Sequence, residues 1–173
     1  MVNEFSFNKQ LAMSHGNSSS SDVKDILLNE IPGALNVIPA HEFNDRQGTD
    51  YWIEHKRGRF LSVDVKVREK DFGKDDLALE TWSIVDKSVG WTRNEEKQTD
   101  YILWFWKDTR RWCLVPFHLL CKVFQEKWEK WLNDYPCYRQ FTKNNNGGYY
   151  SECVFVPRRE VWAQIYHHAS GFL

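Results

Sequence analysis

No stretch of the 173 residues is apolar for long enough to cross a bilayer as a helix; the longest run, Tyr101–Trp106, has the length of a strand. Charge of one sign is not in excess either. The chain carries 23 Lys and Arg against 24 Asp and Glu, for a net charge of -1, so any phosphate binding must be local rather than a property of the whole surface. Cysteine is sparse: the 4 residues Cys113, Cys121, Cys137 and Cys153 form no C-x-x-C pair and have no nearby His-x-x-x-His, which argues against structural zinc. There is no G-x-S-x-G elbow, no G-x-x-x-x-G-K-S/T phosphate loop, no G-x-G-x-x-G fingerprint and no H-E-x-x-H helix. The start, Met1 to Phe5, has no basic segment leading into an apolar one, and this predicts a cytoplasmic protein with reduced thiols and no membrane association.

What the sequence does hold is aromatic content of 16%, with 9 Trp, 7 Tyr and 11 Phe, side chains that fill cores and also stack on bases. The Ser-rich run from Ser14 to Ser21 separates an N-terminal arm and linker, residues 1–20, from one domain over 21–173. Ser21 or Asp22 caps a helix with Val23, Ile26, Leu27 and Ile31 on one stripe, and Pro32-Gly33 stops it. After a loop through His41 to Gln47, Thr49 to Glu54 and Leu61 to Arg68 read as two strands of a hairpin around the basic turn Lys56-Arg57-Gly58-Arg59. The second strand alternates, with Leu61, Val63, Val65 and Val67 on one face and Ser62, Asp64, Lys66 and Arg68 on the other.

Leu77 to Ile84, Tyr101 to Trp106 and Trp112 to Val115 are further strands, the second of them apolar on both faces and so central in a sheet. Pro116 opens a long helix with Phe117, Leu120, Cys121, Phe124, Trp128, Trp131 and Leu132 on one stripe; Glu126 and Lys130 are spaced to pair, and Asp134-Tyr135-Pro136 ends it. Tyr149 to Val156, Pro157 and a helix through Ile165 repeat the strand-proline-helix pattern. A central mixed β-sheet flanked by helices, in the α/β or α+β class, is the expected layout.

Residues two apart on a strand share a face about 7 Å apart, so Asp64 and Lys66 can address one phosphate from the same side. The same alternation also describes an ordinary half-exposed strand. The preceding strand brings Asp50 into play, because a hairpin can place two carboxylates together where a divalent cation needs oxygen ligands. Magnesium takes one or two carboxylates and several waters, and a lysine beside it can orient the attacking water and offset charge on the phosphate.

These residues resemble the PD-(D/E)XK phosphodiesterase superfamily of restriction endonucleases, Holliday-junction resolvases and phage exonucleases. Gly48-Thr49-Asp50 looks like its first motif and Val63-Asp64-Val65-Lys66 like its second, with Asp in place of the commoner Glu and no Pro before Asp50. The order of elements from Ser21 to Leu132 is similar too, apart from a long insertion between Lys66 and Trp104. The resemblance implies a restriction-endonuclease-like core in which Asp50, Asp64 and the Val65 carbonyl bind Mg²⁺, with Mn²⁺ as a substitute, and Lys66 serves the water. Glu30 and Glu80 are alternative candidates to complete the metal site.

Lys56, Arg57, Arg59, Arg68 and Lys70 offer a basic rim for a DNA backbone, or a solvated turn. Trp52 and Trp91 either stack on a base or pack inside. Lys107, Arg110 and Arg111 form a second basic cluster. The expected function is a Mg²⁺-dependent deoxyribonuclease acting on DNA, with a homodimer as one state such a fold adopts. The alternative is a non-catalytic DNA- or protein-binding module on the same fold, and a third reading leaves the polar strand face merely wet.

Overall fold

Ser21–Glu30 forms the first helix, α1, its apolar stripe of Val23 and Leu27 fully buried. The computed structural model describes residues 5–6, 21–40, 48–144 and 147–170; most of the arm and linker, and the 41–47 loop, lie outside the described residues. Pro32 and Gly33 end α1 as expected. Gly33 takes φ +88°, a left-handed conformation that suits glycine, and the chain turns through it into an edge strand, β2 (Ala34–Pro39).

β2 was not legible in the sequence, because only Val37 along it is buried and no alternation results. The hairpin follows as β3 (Tyr51–His55) and β4 (Arg59–Arg68). Later come β7 (Tyr101–Trp106) and β8 (Arg111–Pro116), with β7 buried on both faces. Between β4 and β7 the chain forms β5 (Asp76–Ile84), β6 (Ser88–Val89) and a 3₁₀ turn at Trp91–Arg93.

Backbone contacts divide the chain into two units. One holds α1, β2, β3, β4, β7 and β8, within Ala12–Asp71 and Glu96–His118. Its sheet has 5 strands in the order β2-β3-β4-β7-β8, which is their order along the chain. The β4–β7 pair is parallel and the other neighbours are antiparallel, so β3 and β8 run against the rest. A parallel pair needs a crossover, and here the whole insertion between Lys66 and Trp104 supplies it without disturbing strand order. The core lies on one face, where Val23, Leu27 and Ile31 meet Val37, Tyr51, Ile53, Leu61, Val63, Val65, Leu103 and Phe105.

The other unit is a 5-stranded sheet, β1-β9-β10-β5-β6, with β1 at Phe5–Ser6, β9 at Cys137–Lys143 and β10 at Tyr149–Pro157. It carries α2 (Phe117–Asp134) from Leu119 onward, and α3 (Arg158–Ser170). Pro116 and Pro157 close β8 and β10, and each helix starts one residue later than the sequence suggests; Pro116 is still in register with Tyr101. Along α2, Lys130 pairs with Asp134 one turn on, and Glu126 faces His168 at 3.8 Å. Arg93 lies over the rings of Trp82 and Trp128 at 4.8 and 4.0 Å, and its carbonyl accepts from Gln125. The protein is thus mixed α/β with two sheets, and among the described residues no helix is long and apolar enough to cross a membrane.

Candidate functional site

The β3–β4 ladder ends at the pair Tyr51 and Val63. One step further, the Asp50 N–H donates to the Val63 carbonyl at 2.9 Å, and the Val65 N–H donates to the Asp50 carboxylate at 2.6 Å. The Asp50 side chain therefore supplies the acceptor that a longer β3 would have supplied from its backbone. The N–H and C=O of one strand residue point to the same edge, so the Val65 carbonyl lies on the Asp50 side of β4.

Asp64 projects from the face of β4 opposite the core, yet it is only 3% exposed. Its Oδ1 accepts from Lys66 Nζ at 2.9 Å and its Oδ2 from Lys97 Nζ at 2.8 Å. Ser62, on the same face, is equally enclosed. Its N–H and hydroxyl donate to the Asp100 carboxylate at 2.7 and 3.0 Å, and the Asp100 N–H returns a bond to the Ser62 hydroxyl at 3.0 Å. Thr99 Oγ1 donates to the Gly48 carbonyl at 2.9 Å. The segment from Lys97 to Asp100 is thus stitched across the Ser62 and Asp64 end of the polar face of β4, and that end is covered rather than wet.

Gly48 permits this arrangement. Its φ is +82°, and a Cβ there would fall 1.8 Å from Lys97 Nζ. The backbone conformation and the space for the ammonium both call for a residue without a side chain.

The two carboxyl groups lie beside each other and interact electrostatically. Burial and the adjacent Asp64 charge raise the Asp50 pKa from 3.8 to about 7, against the lowering effects of the Val65 N–H and Lys66. Burial works against ionising Asp64 as well, but the two lysines outweigh it and hold that carboxyl down at about 2. Of the two carboxyls Asp64 is therefore the one ionised throughout the neutral range, and Asp50 is the one that keeps its proton to higher pH. Lys66 is 30% exposed and Lys97 8%, so Lys66 is the ammonium that reaches solvent.

The predicted trio Asp50, Asp64 and Lys66 is brought together. Glu30 is exposed at the end of α1 and lines a cavity of about 280 Å³ with Asp22, Asp25, Arg110 and Trp112; neither Asp50 nor Asp64 lines it. Glu80 belongs to the other unit, where its carboxylate accepts from the Trp91 N–H at 3.0 Å. Lys56, Arg57 and Arg59 sit at the turn end of the hairpin, and Asp50 lies past the far end of β3, about 16 Å away by strand length. They are not a rim of this site.

Arg68 shares the Asp64 face about 13 Å along β4, with Lys70 just beyond the strand. The second basic cluster is neutralised: Lys107 pairs with Glu69, Arg110 with Asp22 and Arg111 with Asp71. Trp52 and Trp91 are half-buried.

Sequence reasoning missed Lys97 and Asp100. The available signal was position, since both immediately precede β7, and a parallel β4–β7 pairing sets that approach beside Ser62 and Asp64. Among the described residues, no group of three or more His, Cys, Asp or Glu side chains stands at metal-holding distance. The oxygen donors are two contacting carboxyls and a backbone carbonyl on the same edge, a set that fits a hard cation keeping much of its water. No family model, no curated protein and no solved structure matches this chain.

Proposed function

We propose that the protein is a Mg²⁺-dependent phosphodiesterase acting on DNA, with a PD-(D/E)XK-like core formed by α1 and the sheet that carries Asp50, Asp64 and Lys66. The observation that carries this reading is the meeting of two carboxyls and a lysine at the end of one hairpin: Asp50 accepting from Val65 N–H and lying beside Asp64, and Lys66 on Asp64 Oδ1 at 2.9 Å. Asp50, Asp64 and the Val65 carbonyl would hold the metal. When bound, Mg²⁺ polarises the phosphoryl group and lowers the pKa of a water.

The chain's own residues do the rest. Lys66, partly open to solvent and fixed by Asp64, orients the attacking water and offsets charge developing on the phosphate. Burial of Asp64 keeps its carboxylate from wandering, so the oxygen donors need little reorganisation. Arg68 and Lys70, on the open stretch beyond Lys66, are placed to take flanking phosphates. No disulfide joins the described cysteines, which suits a reducing cytoplasm.

A second reading, a DNA- or protein-binding module that keeps the fold without catalysis, is favoured by one fact: both Asp64 oxygens already hold ammonium partners. Cleavage of linear, circular and branched DNA by the wild type and by Asp64→Asn, in Mg²⁺, Mn²⁺ and EDTA, separates the two. Metal-dependent cutting that drops at least 100-fold in the variant is the expected result. DNA binding without cutting by either protein selects the second reading.

A further inference from the structure

Lys97 is the residue of this site that the trio of motif residues does not account for. Its side chain is only 8% exposed, and its ammonium sits 2.8 Å from Asp64 Oδ2 directly over Gly48. The Phe117 ring centroid lies 6.0 Å from Nζ, and Thr99, two residues along, is tied to the Gly48 carbonyl. Burying an ammonium in this way is costly without a partner, and Asp64 is the partner.

That placement has a consequence for any divalent cation. Asp64 Oδ1 faces Lys66, and Oδ2 faces Lys97 on the side of Gly48, whose Cβ position lies 3.7 Å from that oxygen. A Mg²⁺ ion bonds carboxylate oxygens at about 2.0–2.1 Å. A dication and an ammonium on one oxygen would stand within about 4–5 Å of each other in an enclosed site, where like charges repel most strongly. Lysine has a long flexible stem and can withdraw while its backbone stays in place.

We propose that Lys97 and a divalent cation are alternative occupants of Asp64 Oδ2: cation binding drives the Lys97 ammonium off Asp64 into contact with solvent, where it joins Lys66 as a second positive group facing the phosphodiester. This rests on the metal-dependent reading of the same site. Lys97 is on this account a positioning residue. It holds Asp64 ionised and in place, and the cation must displace it to bind.

The test reads Lys97 directly. The wild-type protein is treated with a water-soluble amine-acetylating reagent in EDTA and in Mg²⁺ or Mn²⁺, and acetylation of each lysine is measured by mass spectrometry. In parallel, Mn²⁺ binding to the wild type, Lys97→Met and Lys97→Gln is measured by calorimetry, and circular dichroism confirms that each is folded. The expected result is a rise of at least fivefold in Lys97 acetylation on adding metal, with Lys56 and Lys107 unchanged, and Mn²⁺ binding at least tenfold tighter in both folded variants.

Calorimetric binding to the wild type with Lys97 still protected overturns the displacement and leaves the nuclease reading standing. Equal Mn²⁺ affinity in all folded proteins does the same. If neither the wild type nor the variants bind Mn²⁺, the metal-dependent reading falls and this inference falls with it.

Discussion

The Val65 N–H and the Asp50 carboxylate are joined by a 2.6 Å hydrogen bond, and through it the last open rung of the β3–β4 hairpin is closed by an ionisable side chain. A structural bond and a titrating group are therefore the same atoms, and stability must depend on pH through Asp50.

Replacing Asp50 by Asn keeps an acceptor for Val65 and removes the titration. The Asp50 pKa is raised from 3.8 to about 7, so between those values the folded chain keeps a proton that the unfolded chain releases. Wild-type stability contributed by this group is thus complete below the unfolded value, falls as pH rises through that window, and levels off above about 7. Asp50→Asn is expected to be more stable than the wild type at pH 8 by about 2–4 kcal/mol, and the gap should shrink to less than half of that at pH 5. Urea unfolding in EDTA at the two pH values checks this, and a gap that is the same at both rules it out.

Asp64 behaves oppositely. Its carboxyl is held down to about 2, so its contribution is present above the unfolded value and lost as pH falls toward 2. Asp64→Ala leaves the buried Lys97 ammonium without its counter-ion and is expected to cost about 3–5 kcal/mol. A merely wet strand face would lose about 0.5 kcal/mol or less. Lys66→Ala leaves Asp64 still paired with Lys97 and removes a partly exposed group, so about 1 kcal/mol or less is expected. Chemical denaturation at pH 7 discriminates the two patterns.

Gly48→Ala forces a side chain into a left-handed backbone position and into the space of Lys97 Nζ. A loss of about 1–3 kcal/mol is expected from the two effects together. Thermal unfolding measures it, and a change below about 0.5 kcal/mol, the level of an ordinary surface substitution, would contradict the assigned role of Gly48.

Thiol chemistry offers an independent check on the core. Cys113 and Cys121 are buried, and burial, with Glu95 adding to it, pushes the Cys121 thiol up to about 11. Brief alkylation of the native protein at pH 8 should leave both unmodified and act on Cys137 and Cys153 first, although burial also raises Cys137. Peptide mapping after quenching gives the order of reaction.

Much of the fold was readable because local pattern and burial coincide. The alternation of Leu61, Val63 and Val65 matches one buried face, the stripe of Val23 and Leu27 matches a buried helix face, and the doubly apolar Tyr101–Trp106 is a strand enclosed on both sides. β2 and β9 escaped, since each has a single buried residue, Val37 and Thr142, and a strand with one buried position has no period to read. Asp50, Asp64 and Lys66 were legible because one hairpin joins them at short range. Lys97 was not, because its meeting with Asp64 depends on which strand pairs with β4, and that pairing is set by tertiary contacts far along the chain. The basic turn was placed beside the site although the length of β3, already legible in the spacing from Asp50 to Lys56, sets it at the opposite end of the hairpin.

The unit that carries the site is made of two chain segments, and the polypeptide leaves it after Asp71 to build strands elsewhere before returning at Glu96. Asp50, Asp64 and Lys66 come from the first visit; Lys97, Asp100 and the parallel neighbour β7 come from the second. Closing so long a loop carries an entropic cost that only non-local contacts offset, and the ion pair between Asp64 and Lys97 is one of those contacts. A fragment ending at Asp71 would hold every letter of the motif and lack the partners that enclose it.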